Sequence, residues 1–179
     1  YTKEELEGID ALVTNLPGVA IGVRTADCIP VLLYDPVRRA VGAAHSGWRG
    51  SVNKIAAQAV LAMVKKFGSK PADIRAVIGP GIGPDSFQVG EDVAKLFKAS
   101  GFPVEKIWSF RGPRVEGSMA GGHHIDLWQV CRITLVECGL ADSNIATAGI
   151  CTYESPDFYS ARRDGAQCDR IVSSIKLIG

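Results

Sequence analysis

The sequence predicts an α+β fold in a single domain, with mixed sheets and about three helices. Two patterns predict it: short β-rich runs bounded by turn residues, and longer stretches with apolar residues at helical spacing. There is no internal repeat, low-complexity tract or linker, so residues 1–179 read as one unit.

Val19 to Val23, Ile29 to Tyr34 and Ala40 to Ala44 are short runs suited to adjacent strands, with Asp35-Pro36 marking the turn before the third. From Ser51 to Phe67 the residues Ile55, Ala59, Val60, Met63, Val64 and Phe67 recur at helical spacing, and Gly68 ends the stretch. Ile74 to Ile78 predicts a strand running into the loop Gly79-Pro80-Gly81-Ile82-Gly83-Pro84, and Glu91 to Ala99 a short helix. Gly101 to Gly122 is punctuated by Gly and Pro and is expected to be irregular. Asp126 with Gln129 three residues on has the form of a capping box, and Leu127, Val130, Cys131, Leu135 and Cys138 then line one helical face up to Gly139. Ile145 to Ile150 and Ile171 to Ile178 predict further strands, with Phe158 to Gly165 between them as an Arg-rich loop or edge.

Composition narrows the function classes. Apolar residues make up 46% and charged residues 22%, which excludes a disordered chain. A net charge of +1 creates no basic field for a phosphate backbone, and aromatics at 7% leave few stacking platforms. A nucleic-acid partner is therefore not expected, and small substrates are. No apolar run reaches the length of a membrane helix, and the acidic start Tyr1 to Glu7 is unlike a signal peptide, so a cytoplasmic protein with no membrane partner is expected. The five cysteines are widely spaced and contain no Cys-x-x-Cys, so thiols are expected rather than a disulfide framework.

Three constellations could carry chemistry. Cys28 in Thr25-Ala26-Asp27-Cys28-Ile29-Pro30 is followed, 17 residues on, by His45 in Ala43-Ala44-His45-Ser46-Gly47-Trp48-Arg49-Gly50. One thiolate and one imidazole suit zinc, whose catalytic sites use three protein ligands and keep a position for water. From spacing alone the pair reads first as a small buried hydrophobe with a satisfied strand-end histidine, and a Cys-His nucleophile pair is the other functional reading. The glycine-rich loop Gly79 to Pro84 fails the dinucleotide fingerprint, because the glycines it needs are replaced by Pro84 or Ser86. It remains a turn, or a place where backbone approaches a ligand. In Arg162-Arg163-Asp164-Gly165, adjacent arginines point to different sides, so at most one faces a site. Arg49, four residues from His45, is the better-placed anion ligand, and His123-His124 can reach a site or simply precede a helix.

Taken together, Thr25 to Leu32, Ala43 to Gly50, Gly79 to Pro84 with Phe87-Gln88-Val89-Gly90, Asp126-Leu127, Cys151-Thr152-Tyr153 and Phe158 to Asp164 run collinearly over nearly the whole chain. On these motifs the chain resembles the YfiH-type purine nucleoside phosphorylase family, also called laccase-domain or polyphenol oxidase proteins. The resemblance implies a YfiH-like fold and a zinc ion held by Cys28, by His45 and by a histidine upstream of both. No histidine precedes His45 here, so the third ligand and the family's N-terminal strands are expected to lie upstream of a truncated chain. Copper is a possible occupant, since a Cys/His set accepts it.

The activities implied are phosphorolysis of adenosine, inosine and methylthioadenosine, and deamination of adenosine. Cys28, His45 and Arg49 are the implied catalytic residues, with Arg49, Arg162 and Asp27 as candidate substrate- or phosphate-binding residues. Purine nucleosides and phosphate are the implied partners. The alternatives are a hydrolase editing mis-built peptidoglycan precursors, a copper-dependent polyphenol oxidase, and a nucleoside- or partner-binding domain without catalysis. A multicopper oxidase needs histidine-rich centres that the three histidines of this chain cannot supply.

Overall fold

The computed structural model describes residues 6–111 and 122–178. The chain opens with four strands: β1 (Ala11–Thr14), β2 (Ala20–Thr25), β3 (Ile29–Asp35) and β4 (Ala40–Ser46). Asp35 makes the turn between the last two, because its Oδ1 accepts hydrogen bonds from the amides of Val37 (2.8 Å) and Arg38 (2.9 Å). That turn sets an antiparallel register running from Asp35↔Ala40 to Ile29↔Ser46.

Helices α1 (Trp48–Val52) and α2 (Ile55–Phe67) follow, where the periodicity predicts one helix from Ser51. They are separated at Lys54, which adopts a left-handed conformation (φ 54°). Its ammonium is held at 2.7 Å by Glu137 and lies 5.1 Å from the Phe102 ring centre. Tertiary anchoring thus breaks a helix that the apolar pattern alone would continue. Ala56, Ala59, Val60 and Met63 bury the inner face of α2. Val60 and Met63 are fully buried, which stabilises the fold by roughly 1.5–3 kcal/mol each.

β5 (Arg75–Ile78), β6 (Gln88–Val89) and α3 (Glu91–Ala99) come next. The stretch expected to be irregular instead holds α4 (Val104–Ile107) and β7 (Trp108–Arg111), and its residues 112–121 lie outside those described. β8 (Gly122–Ile125) pairs with both β6 and β7 in a three-stranded sheet. These strands are too short to show a period of two among the surrounding turns.

α5 (Leu127–Glu137) starts where Asp126 Oδ1 accepts from the Gln129 amide at 2.9 Å. The reciprocal half of the capping box is not made, because the Asp126 amide donates to the Ile107 carbonyl instead. β9 (Ile145–Thr147) stops short of Ile150, whose carbonyl accepts from the Gly81 amide. The Arg-rich stretch contains a short helix, α6 (Ala161–Asp164), capped by Ser160 Oγ. β10 (Ile171–Lys176) pairs with β2 in a two-stranded ribbon.

The main sheet has the order β1-β4-β3-β5-β9, antiparallel except for the parallel β5–β9 pair. Ile29, Pro30 and Val31 are consecutive and all buried, as are Ala40 to Ala44. Neighbouring side chains on a strand point to opposite faces, so both faces of the central strands are covered. α2, α5 and the β2–β10 ribbon pack against them. One hydrophobic cluster runs from Ile29 through Met63, Ile78 and Phe97 to Leu135, and the fold is a mixed α+β single domain. Of its six helices among the described residues, the three long ones are those that the periodicity predicts. No helix there is long and apolar enough to cross a membrane.

Candidate active site

Hairpin register brings the two halves of the site together. Pairing of Ile29 with Ser46 and of Pro30 with His45 sets the end of β4 against the start of β3. Continued by one residue, this register sets Cys28 opposite Gly47 and diagonal to His45. A Cβ placed on Gly47 would stand 3.0 Å from Cys28 Sγ and 3.8 Å from His45 Nε2. A thiol and an imidazole nitrogen thus converge on one small space that a side chain at position 47 would fill. The two expected ligands are brought together. Among the described residues no group of three or more His, Cys, Asp or Glu side chains is placed to hold a metal, so the pair supplies two donors.

His45 is fixed from its far side. Its Nδ1 lies 3.0 Å from Asp10 Oδ1, and its amide donates to the Asp10 carbonyl at 2.7 Å. Burial raises the Cys28 thiol above its ordinary value, the carboxylates of Asp27 and Asp10 raise it further, and the Arg170 guanidinium opposes them.

Asp27, expected at the substrate, has its carboxylate fully occupied by the protein. Oδ1 accepts from the Thr152 hydroxyl at 2.8 Å and Oδ2 from the Arg162 amide at 2.7 Å. It also adopts a left-handed conformation (φ 84°), and its carbonyl accepts from the Ile82 amide. Asp27 ties the Cys28 loop to α6 and to the glycine-rich loop. In that loop, a Cβ on Gly81 would stand 3.0 Å from the Asp27 carbonyl oxygen and 3.3 Å from that of Cys28. Glycine here admits the backbone that carries Cys28.

The arginines divide as adjacent arginines should. Arg163 is consumed by the carbonyls of Thr152, Tyr153, Ser155 and Phe158 and by Asp164, so it braces the chain. Arg162 donates to the Gln88 carbonyl at 3.1 Å and lies 5.7 Å from the Phe87 ring centre. Arg49 is exposed, with its guanidinium 4.2 Å from the Trp48 ring centre, at the start of the helix that follows His45.

His123 and His124 belong elsewhere. His123 accepts from Trp108 Nε1 at 2.9 Å and packs edge-on against Trp108 and Phe110. His124 is buried, bonded to the Gly122 carbonyl, and lines a cavity of about 220 Å³ with Pro84, Trp108, Arg111 and Asp126. Asp10 is the residue around this pair that motif reading missed, while Gly47 and Thr152 lie in the quoted motifs but were given no role. The signal for Asp10 is its position one residue before the strand that pairs Ala11 with Ala44.

Comparison with known proteins adds the family. The model of the family described as multi-copper polyphenol oxidoreductase laccase matches residues 1–178. A purine nucleoside phosphorylase of Bacteroides thetaiotaomicron is 42% identical over 98% of this chain and 63% of its own length. Adenosine deaminase RL5, from an unknown prokaryotic organism, is 40% identical over 95% of this chain and 63% of its own length. The crystal structure of Bacillus licheniformis YfiH superposes with a TM-score of 0.83 at 35% identity, over 94% of this chain and 61% of that one. The chain thus spans less than two thirds of the length of each of these three relatives. With its fold and nearly its whole length accounted for, the chain belongs to the laccase-domain, YfiH-like family.

Proposed function

We propose that this chain carries the catalytic core of a zinc-dependent purine nucleoside phosphorylase that also deaminates adenosine. The observation that carries the reading is the convergence of Cys28 Sγ and His45 Nε2 beside Gly47. Thiolate and imidazole are the donors zinc prefers, and a catalytic site leaves one position open. The resemblance implies a histidine as the third donor. Copper fits the same donors and binds them more strongly, so its loading depends on availability. Relatives named purine nucleoside phosphorylase and adenosine deaminase support the choice of reaction.

A bound metal supplies a Lewis acid that makes water nucleophilic at neutral pH. The chain's own residues do the rest. Arg49, stacked on Trp48 and in no ion pair among the described residues, offers a planar fork to phosphate. Arg162, whose amide is bonded to Asp27 and whose guanidinium is held at Gln88, offers a second positive charge. Asp27 has both carboxylate oxygens taken by the Thr152 hydroxyl and the Arg162 amide, so it supports the Cys28 loop rather than binding substrate directly.

The test is product chromatography after incubating the intact protein with adenosine, with and without phosphate. Adenine that forms only with phosphate supports the phosphorylase, and inosine formed without phosphate supports the deaminase. Neither product from metal-loaded protein would overturn the nucleoside reading and make a cell-wall precursor hydrolase the leading one.

A further inference from the structure

We propose that Asp10 is a positioning residue for this site: it orients the His45 ring so that Nε2 is the nitrogen presented beside Cys28. The proposal rests on the reading of Cys28 and His45 as metal ligands. A carboxylate can only accept, so the 3.0 Å contact between Asp10 Oδ1 and His45 Nδ1 places the ring proton on Nδ1. Nε2 then keeps its lone pair, and Nε2 is the atom at the Gly47 space with Cys28 Sγ. The two ends of one imidazole are thus assigned opposite tasks by two different neighbours.

The arrangement is rigid for a pair so near the surface. Asp10 holds the same residue twice, since its carbonyl accepts the His45 amide at 2.7 Å while its side chain takes the ring. The pairing of Ala11 with Ala44 continues this contact into the sheet, so backbone register fixes the distance between carboxylate and ring. The side chains are 54% and 34% exposed, and an ion pair at that exposure contributes little to stability. Orientation of the ring is what the contact supplies. A carboxylate on the far nitrogen also strengthens an imidazole as a donor, and removing such a partner typically costs about 10–100-fold in metal affinity.

The test uses the intact protein and zinc titrated against a chromophoric chelator, for wild type, Asp10→Ala, Asp10→Asn and Cys28→Ala. We expect Asp10→Ala to bind zinc about 10–100-fold more weakly with its thermal unfolding nearly unchanged. Asp10→Asn, which keeps the size and one acceptor oxygen, should recover part of that loss, and Cys28→Ala should lose more than either. Nitrogen NMR of metal-free wild type supplies a readout that requires no variant: His45 should carry its proton on Nδ1. A proton on Nε2, or wild-type zinc affinity in Asp10→Ala beside a weakened Cys28→Ala, would overturn the proposal and leave the ligand reading standing. Wild-type affinity in Cys28→Ala would instead remove the ligand reading and the proposal with it.

Discussion

Asp27 carries more of the local architecture than any other polar residue near Cys28. Its buried carboxylate satisfies Thr152 and Arg162, and its backbone sits where only glycine, asparagine or aspartate is comfortable. Asp27→Ala should therefore destabilise the protein by about 2–4 kcal/mol, from two orphaned donors and a strained backbone, as read by urea unfolding. Asp27→Asn keeps one acceptor and the conformation and should cost clearly less. Arg49 makes the opposite prediction. Its guanidinium rests on Trp48 at the surface, so Arg49→Ala should leave stability within about 0.5 kcal/mol. On the proposed function it should raise the phosphate KM about tenfold or more, the loss of a charge-assisted bond of about 1.5–3 kcal/mol; an unchanged phosphate KM removes Arg49 from that role. Cys28 and His45 could be singled out because they lie in motifs that carry the resemblance, and the hairpin register brings them together beside Gly47. Asp10 could not be, because its link to His45 exists only once β1 is registered on β4.

Helix α5 shows what an element's own sequence can and cannot specify. Its apolar stripe and Asp126 cap were readable, and Asp126→Ala should cost about 1 kcal/mol of stability. Burial pushes the Asp126 carboxyl up, although the amides of Gln129 and Trp128 pull it down. The folded protein then holds that proton more tightly than the unfolded chain does. The stabilisation is present in full below the ordinary carboxylate range and is lost as pH rises through the folded value. Asp126→Asn keeps an acceptor without the charge, so its stability relative to wild type should improve as pH rises across that window, measured by urea unfolding. Cys131, on the inner face of the same helix, is buried and pushed up to about 12. Iodoacetamide should spare it in the native protein and modify it after unfolding. The break between α1 and α2 was not legible, because lysine at position 54 carries no local stop signal and its left-handed turn is held by Glu137 and Phe102.

At the scale of the whole molecule, one hairpin register explains the site. The β3–β4 pairing places residues 17 apart in sequence side by side, and the glycine-rich loop, α6 and β1 close around them through Gly81, Asp27 and Asp10. The β3–β4 hairpin was legible from two β-rich runs around the Asp35-Pro36 turn, but the expected neighbour Val19 to Val23 was misplaced: β2 pairs with β10 rather than with β3, and β1 takes the edge beside β4. The small sheet of β6, β7 and β8 was not legible, since pairing rather than composition defines strands of two to four residues. The central claim is that Cys28 and His45 hold the metal on which the activity depends. The measurement that tests it most directly is X-ray absorption at the zinc edge of the loaded intact protein, beside its Cys28→Ala variant. The account predicts one sulfur at about 2.3 Å and a nitrogen shell at about 2.0–2.1 Å in wild type, with the sulfur lost in the variant. A wild-type spectrum without sulfur, or one that Cys28→Ala leaves unchanged, would contradict it.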